Sequence, residues 1–284
     1  MFDLHIHTTH SSDGQHTPIE IMLMAQKRRL AGLAFTDHMD ISAVPEGMEL
    51  ADIYGLHFFS GVEISTISGA QEYHILIYGF NPGDAFLTDF LSSHCVALWE
   101  KAQGVIDILF RMGFDIRKED VDGWGRSVPT GVSFLNALKK RNAHDIRLYD
   151  YLSGSKSSSP YLNFYRDFAS TDIGALLRSS LPDLKETIRL FRDRGLLVLA
   201  HPGHMSRESI EDLKNEGVTG IEAYSSHHTK ETTRYLVEVA RSLDLLVSAG
   251  SDYHGELIKP GIDLGDMALR WDDELIRKIM ERTP

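Results

Sequence analysis

Seven short runs of apolar residues along the chain are predicted to be β-strands. Helical patterns separate most of them, and Thr17-Pro18-Ile19-Glu20 is a capping box with proline at the first helical position, beginning a helix to about Leu30. Asp183 and Glu186 repeat this signature before another helix. Strands that alternate with helices predict a parallel sheet with right-handed crossovers, and seven strands predict a closed barrel. The predicted strands span residues 2–7, 33–37, 58–63, 73–80, 196–201, 219–224 and 245–251.

The alternation of predicted strands and helices stops between residues 84 and 182. The stretch has helical patterns at 86–92, 96–112 and 132–141, joined by polar loops that include a serine-rich segment at 153–160. We therefore expect a helical insertion after the fourth strand, folded as a cap over one end of the barrel. The predicted domains are a barrel formed by residues 1–83 and 183–284, and a cap subdomain formed by residues 84–182.

Histidines and carboxylates collect where the apolar runs stop. His5 and His7 are two residues apart, so a strand presents them on the same face. The carboxyl ends of barrel strands carry the active site in parallel α/β barrels, because the loops there converge. A lone histidine is usually a hydrogen-bonded core residue, but four such strings together favour a metal cluster. The strings are Asp3-Leu4-His5-Ile6-His7 with Asp13, Thr36-Asp37-His38, Gly61-Val62-Glu63 with His74, and His201-Pro202 with Ser251-Asp252-Tyr253-His254.

Nine candidate ligands are too many for one ion. A divalent metal takes about four to six ligands, and a carboxylate can bridge two ions. The set therefore predicts two or three divalent metals. The candidates are six histidines and three carboxylates, namely His5, His7, His38, His74, His201, His254, Asp13, Glu63 and Asp252.

These strings resemble the pattern of the PHP (polymerase and histidinol phosphatase) family over about residues 1–80 and 196–256. The family pattern is H-x-H, an acidic residue or histidine, T-D-H, G-x-E, a histidine after the fourth strand, H-P and S-D-x-H. The resemblance implies a distorted (β/α)7 TIM-like barrel and three metals, often Mn²⁺, Fe²⁺ or Zn²⁺. By position it implies that His5, His7, Glu63 and Asp252 hold one metal, that Glu63, His74 and His201 hold a second, and that Asp13, His38 and His254 hold a third.

The implied chemistry is attack on phosphorus by a hydroxide that bridges two metals. The sequence contains no G-x-S-x-G elbow, and Cys95 lies in a helical pattern, so neither predicts a nucleophilic side chain. The catalytic candidates are His201, His228 and Asp252, and the leaving alkoxide is expected to take its proton from His201, His228 or a metal-bound water.

Two residues are candidates for substrate contact. Arg126, in Trp124-Gly125-Arg126-Ser127, matches a G-R string of relatives that cleave nucleotides and can grip phosphate as a planar fork. The histidine that follows in those relatives is missing, since Val128-Pro129-Thr130 follows here. His228 corresponds to a histidine in relatives that read S-x-H-S or S-x-H-T.

The resemblance is strongest to the branch with an insertion, which includes nucleoside 3′,5′-bisphosphate phosphatases and enzymes that open cyclic ribose phosphates. The sequence therefore predicts a metal-dependent phosphoesterase acting on a small phosphorylated metabolite. Thr36-Asp37-His38-Met39-Asp40 keeps histidinol-phosphate phosphatase as an alternative. An amidohydrolase-type C–N hydrolase is a second alternative, although such sites often use a carboxylated lysine where this chain has His74. A metal-binding module without activity is a third.

Composition narrows the partners. The net charge of −12 argues against a broad nucleic-acid face and against duplex binding. The single cysteine excludes an internal disulfide and a cysteine-rich zinc site. No apolar run approaches the roughly 18 residues of a membrane helix, and no signal-peptide pattern opens the chain, so we expect a cytoplasmic protein. The oligomeric state is left open.

Overall fold

The seven predicted strands form one sheet, in chain order from β1 to β7. The computed structural model describes residues 1–121, 127–169, 171–270 and 273–282. Each predicted apolar run contains or overlaps one strand, although β3 is longer than predicted. The strands are β1 Phe2–Asp3, β2 Gly32–Phe35, β3 His57–Ser68, β4 Gln71–Tyr78, β5 Leu196–Leu199, β6 Gly220–Ser225 and β7 Leu246–Gly250.

The sheet curls until its last strand approaches its first. Beyond the ends of β7 and β1, Tyr253 forms a parallel bridge with Ile6. The buried carboxylate of Asp3 accepts hydrogen bonds from the backbone N–H of Ser251, at 2.9 Å, and from its hydroxyl, at 2.6 Å. The result is the nearly closed, distorted seven-stranded barrel that the sequence predicts.

The direction of one strand, β4, differs from the prediction. The sequence predicts parallel strands throughout, but β4 is antiparallel to both β3 and β5. β3 and β4 are joined by the tight turn Gly69-Ala70, with Gly69 at φ +63°, and parallel neighbours need a crossover of a dozen or more residues. The beginning of β4 therefore lies at the same end of the barrel as the carboxyl ends of the parallel strands.

Helices cover the barrel and fill the segment between β4 and β5. The predicted capping box is confirmed, since the Thr17 hydroxyl accepts from the Glu20 N–H and the Glu20 carboxylate accepts from the Thr17 N–H. In chain order the helices are α1 Pro18–Lys27, α2 Ala43–Tyr54, α3 Ala85–Arg111, α4 Gly131–Asn142, α5 Tyr149–Leu152, α6 Pro160–Ala169, α7 Asp172–Arg178, α8 Leu184–Phe191, α9 Arg207–Glu216, α10 Lys230–Ser242 and α11 Glu274–Arg282.

Helices α3 to α7, residues 85–178, form a helical segment between β4 and β5. They pack around their own apolar cluster, which includes Trp99, Phe134 and Phe168. The two helices predicted at 86–92 and 96–112 are one continuous helix, α3. The polar side chains at its midpoint bond back to the helix, since Ser93 and His94 both donate to the Phe90 carbonyl one turn earlier. The division of the chain at residues 84 and 182 stays a prediction.

The barrel interior is apolar at the end where β1 begins. Helix α11 packs Leu275, Ile276 and Ile279 into the same cluster as Phe2 and Tyr78 at this end. The opposite end is therefore the one open to helices α4, α6 and α7. Among the described helices, none has the length and apolar character needed to cross a membrane.

Candidate metal centre

His5 and His7 follow β1 and point to the same side, as their spacing predicts. Both rings are fully buried, and each Nε2 lies 3.1 Å from Glu63 Oε2. Asp252 Oδ1, which follows β7, lies 3.3 Å from His5 Nε2 and 3.2 Å from His7 Nε2. Four donor atoms from three strands thus converge on one point at the open end of the barrel.

These distances fit a shared cation. Donor atoms bound to one ion at about 2.1 Å lie about 3.0–3.4 Å from each other in octahedral and tetrahedral geometries. Neither ring nitrogen of His7 is in hydrogen-bond geometry with any described residue, although both are buried. Buried polar atoms normally find a partner. Nitrogens that face carboxylate oxygens without aligned hydrogen bonds are suited to bind a cation between them.

A second convergence lies around Asp13. Asp13 Oδ2 is 3.5 Å from His38 Nε2 and 3.7 Å from His254 Nε2. The His7 and His254 rings stack with centroids 4.1 Å apart, so His7 adjoins this group as well. Asp13, His38 and His254 are together as predicted, and His7 is an additional neighbour that the sequence assigned to the first group alone.

Glu63 is the centre of the arrangement. Its Oε2 atom faces His5, His7 and also His38 Nδ1, at 3.3 Å. Its Oε1 atom lies 2.8 Å from His74 Nδ1 and 3.1 Å from His201 Nε2. The two oxygens of one carboxylate thus face different sets of imidazoles, which is the geometry of a ligand that bridges two ions.

His74 corrects one sequence expectation. It does not follow a strand but lies near the beginning of β4, paired with Ser65 of β3. Because β4 is antiparallel, its beginning meets the carboxyl ends of the other strands. The structure therefore brings His74 to the site by a route that the sequence analysis did not foresee.

Electrostatic interactions with neighbouring histidines and with Lys259 keep the carboxylates of Glu63 and Asp252 ionised. Burial would raise the pKa of Glu63, but His5, His38 and His74 outweigh burial and hold that pKa well below its ordinary value. Burial would likewise raise the pKa of Asp252, and Lys259, His5 and His254 hold it well below its ordinary value. Ionised carboxylates at neutral pH are the form that binds metal.

Glu222 is a functional candidate that the sequence analysis missed. It is fully buried on β6; its Oε1 accepts from His5 Nδ1 at 2.9 Å, and its Oε2 accepts from the His201 N–H at 2.9 Å. The second bond holds His201 at φ +26°, a backbone conformation that a histidine rarely adopts. A glutamate inside the apolar run 219–224 was the available signal, because a buried carboxylate needs partners.

The replacement Glu222→Gln is expected to lower metal affinity about 10- to 100-fold, since loss of a carboxylate that orients a ligating histidine has that effect. Chelator competition with Mn²⁺ measures this. The change Glu216→Gln, at a partly exposed glutamate paired with Arg189, serves as the control and should leave the affinity unchanged. A Glu222→Gln protein with parent affinity would show that the buried carboxylate supports the fold and not the site.

Two adjacent histidines in the loop after β6 have different surroundings. His228 donates from Nδ1 to the Ala223 carbonyl at 2.9 Å, and its Nε2 accepts from the Gly203 N–H at 3.1 Å. Both nitrogens are thus engaged by backbone, and the structure does not bring this ring to the site. His227 is there instead, with Nε2 2.5 Å from Asp252 Oδ2. Consecutive residues of the loop after β6 point in different directions, so His227 lines the cavity, and the roles given to His228 stay predictions.

Lys259 is a second residue that the sequence analysis did not single out. Its ammonium nitrogen lies 2.6 Å from Asp252 Oδ2 and 3.0 Å from His227 Nε2, and its side chain is 15% exposed. Asp252 therefore turns one oxygen to the histidines of the barrel and the other to a fixed cation. No motif marks Lys259, because the chain segment after His254 decides where its side chain lies.

A cavity of about 400 Å³ opens over these groups. Its floor consists of candidate ligands, and its walls are largely apolar and come from helices α4, α6 and α7. Lys259 and Arg178 are cations on the described walls. Arg126, the predicted phosphate-binding residue, lies outside the described residues. The wall residues from the three helices include Val132, Tyr161, Tyr165, Phe168 and Leu177.

Comparison with known proteins identifies relatives over most of the chain. A model of the PHP domain matches residues 3–184. A phosphoribosyl 1,2-cyclic phosphate 1,2-diphosphodiesterase of Eggerthella lenta is 28% identical, covering 89% of this chain and 94% of its own. A 5′-3′ exoribonuclease of Haemophilus influenzae is 26% identical, covering 89% of each chain. A 3′,5′-nucleoside bisphosphate phosphatase of Chromobacterium violaceum is 27% identical, covering 89% of this chain and 86% of its own.

Solved structures share the whole fold. A protein of Bifidobacterium adolescentis, provisionally named a metal-dependent phosphoesterase, superposes with a TM-score of 0.79 at 25% identity, covering 100% of this chain and 96% of its own. A Chromobacterium violaceum protein named an amidohydrolase, with bound sulfate and no metal, superposes with a TM-score of 0.82 at 25% identity, covering 99% and 96%. The barrel and the helical segment are therefore one shared architecture.

Proposed function

The chain belongs to the PHP domain family of metal-dependent phosphoesterases, and we propose that it hydrolyses a phosphate ester bond of a small phosphorylated metabolite. One observation carries the proposal: imidazole nitrogens on or next to β1, β2, β4 and β5 meet around the two oxygens of Glu63 on β3. The carboxylate of Asp252, after β7, faces two of the same histidines. Relatives named for a cyclic ribose phosphate and for a nucleoside bisphosphate favour those two substrate classes and other nucleotides.

We infer that the donors hold two to three divalent ions. The donors are nitrogen and oxygen atoms without a thiolate, a set that suits Mn²⁺, Fe²⁺ and Zn²⁺. His5, His7, Glu63 and Asp252 would hold one ion. Glu63, His74 and His201 would hold a second, and Asp13, His38 and His254 a third.

Metal ions in this place would supply Lewis acidity that polarises the phosphoryl group and activates water. The chain's own residues supply the remaining steps. Lys259 offers a cation that is already ordered beside Asp252, where a phosphate over the ligands would meet it. We propose His227, in the place that the sequence gave to His228, as the group that passes a proton to the leaving alkoxide. Arg126 stays a predicted second phosphate contact.

The alternatives receive less support from the geometry. His74 Nδ1 lies 2.8 Å from Glu63, where a C–N hydrolase of the amidohydrolase type would use a carboxylated lysine. Histidinol-phosphate phosphatase stays an alternative substrate specificity. We keep as predictions a cytoplasmic location and the absence of nucleic-acid duplex binding, and the oligomeric state stays open.

A phosphate-release screen on protein loaded with Mn²⁺ tests the proposal. We expect the protein to release phosphate from nucleoside 3′,5′-bisphosphates or to open cyclic ribose phosphates. Ring opening is detected as phosphate that an added phosphatase then releases. The panel should also contain mononucleotides, histidinol phosphate, short single-stranded RNA and simple amides. Elemental analysis would establish the metal content of the same sample. A metal-loaded protein that cleaves none of the phosphate esters would overturn the proposal.

Metal binding is expected to release about three protons at pH 7.5. Burial lowers the pKa of His7, but Asp252 and Glu63 outweigh burial and raise that pKa to about 9. Burial also lowers the pKa of His74, but Glu63 and Glu72 raise that pKa to about 10. For His5, Glu63 and Glu222 outweigh burial and raise the pKa well above its ordinary value. These rings are thus protonated in the metal-free protein and must be neutral to bind metal.

Calorimetric titration with Mn²⁺ in buffers of different ionisation enthalpy counts the released protons. The count should fall as the pH is raised from 7.5 toward 10, because the rings then lose their protons before metal arrives. A count below one at pH 7.5 would contradict the assignment of these histidines.

A further inference from the structure

A glutamate connects one candidate ligand to the helical segment. Glu72 lies on β4, two residues before His74, and its Oε1 accepts from His74 Nε2 at 3.1 Å. Its Oε2 accepts from the hydroxyl of Tyr165, on α6, at 3.2 Å. The other nitrogen of His74, Nδ1, faces Glu63. The chain of contacts therefore runs from Glu63 through His74 and Glu72 to a helix outside the barrel.

The position of Tyr165 is fixed by close packing of two helices. A Cβ atom on Gly131, the first residue of α4, would lie 3.1 Å from Tyr165 Cβ and 3.3 Å from its Cα. Only glycine gives α6 this close approach without displacement. The Tyr165 ring thus lines the cavity beside Glu72 and His74, with its backbone held against α4.

A second contact joins the same helices to the barrel. The Ser12 hydroxyl donates to the Thr130 hydroxyl at 3.0 Å. Ser12 is adjacent to the candidate ligand Asp13, and Thr130 is the N-cap residue of α4. Helices α4 and α6 therefore each contact the barrel beside a candidate ligand, Asp13 and His74 respectively.

We propose that Tyr165 and Glu72 form a relay through which the helices over the cavity orient His74. Metal binding and closure of α6, meaning the contact of Tyr165 on α6 with Glu72 on β4, then support each other. The inference rests on the proposed function, because His74 must bind metal. A carboxylate that accepts from a ligating histidine fixes its tautomer and raises its affinity for metal. If closure of α6 strengthens metal binding, metal binding must stabilise closure by the same free energy. Glu72 and Tyr165 act through His74 and are therefore positioning residues.

The change Tyr165→Phe tests the relay, with Tyr161→Phe as its matched control. Tyr161 is on the same helix and borders the same cavity, but its hydroxyl contacts Asn136 and Lys139 within the helical segment. Chelator competition gives the Mn²⁺ affinity, and hydrogen exchange of α6 with and without Mn²⁺ reports closure. Neither measurement depends on turnover.

In the parent, Mn²⁺ should slow the exchange of α6. Tyr165→Phe should weaken Mn²⁺ binding about 2- to 12-fold, the equivalent of one hydrogen bond, and should abolish most of the Mn²⁺-dependent protection of α6. Glu72→Gln should weaken binding about 10- to 100-fold. Tyr161→Phe should match the parent in both measurements.

A Tyr165→Phe protein that equals Tyr161→Phe in affinity and in protection would overturn the relay. If both proteins still release phosphate, the proposed function stands without it. A parent that binds no Mn²⁺ and releases no phosphate overturns the proposed function, and the relay with it. Should Glu72→Gln fail to fold, the Tyr165→Phe comparison decides alone, because it removes one hydroxyl at the edge of the barrel.

Discussion

Glu63→Gln is expected to lower metal content by at least one ion per chain and to lower phosphate release about 10³-fold or more. Both oxygens of Glu63 face imidazoles, and an amide offers one weaker oxygen donor in place of two charged ones. Metal Lewis acidity is worth several kcal/mol, and each 1.36 kcal/mol is tenfold in rate. Elemental analysis and the phosphate-release assay measure the two effects on the same preparation.

The same substitution has a consequence in the metal-free protein. The pKa of Glu63 is held below its ordinary value, so its contribution to stability is present above the unfolded-state pKa and is lost as the pH falls toward the folded-state value. At pH 7 the metal-free variant should therefore be less stable by about 3 kcal/mol, the typical effect of removing one partner from a buried ion pair. The difference from the parent should shrink on acidification below about pH 4.5.

Asp120→Asn separates a metal effect from a general effect of losing a buried carboxylate. Asp120 is buried in the helical segment, where it accepts from Arg141 at 2.7 Å, away from the candidate ligands. This control should lose stability in urea denaturation but keep its metals and its activity. Full metal content and parent activity in Glu63→Gln would remove Glu63 from the centre of the site.

The sequence predicted which residues meet, because each string lies at or near the end of a strand. His5 and His7 needed only the two-residue period of a strand, and Asp252 needed only its place after β7. The route of His74 was not predicted, although its signal was present: only residues 64–72 separate the predicted runs 58–63 and 73–80, which is too few for a crossover helix.

Other features depend on geometry that one sequence does not contain. The choice between His227 and His228 is set by the dihedral angles of a short loop. The contact of Lys259 with Asp252 follows from a turn without a recognisable motif, and the contact between Tyr165 and Glu72 joins residues 93 positions apart. Local sequence patterns predict the position of a residue in a strand, helix or loop. Packing between distant elements decides which groups its side chain contacts.

Lys259→Met is expected to lower kcat/KM about 10²-fold. A charge-assisted hydrogen bond to an ionised group is worth about 1.5–3 kcal/mol, and the Lys259 ammonium is held in place before substrate arrives. Methionine keeps most of the length of the lysine stem and removes the ammonium group, with its charge and its hydrogen-bond donors. Steady-state kinetics on the best substrate from the phosphate-release screen measure the effect, with metal content determined alongside.

The metal measurement makes this prediction decisive, because the two roles open to Lys259 have opposite signatures. If Lys259 binds substrate phosphate, kcat/KM falls while metal content is unchanged, and Lys259→Arg, which keeps the charge, retains part of the activity. If Lys259 only neutralises Asp252, its removal strips a competing cation from that carboxylate, so Mn²⁺ binds more tightly and kcat/KM does not fall. Tighter Mn²⁺ binding with parent kinetics would therefore assign Lys259 to Asp252 alone and leave the metals, with Arg126 and the wall residue Arg178, as candidates for binding the phosphate.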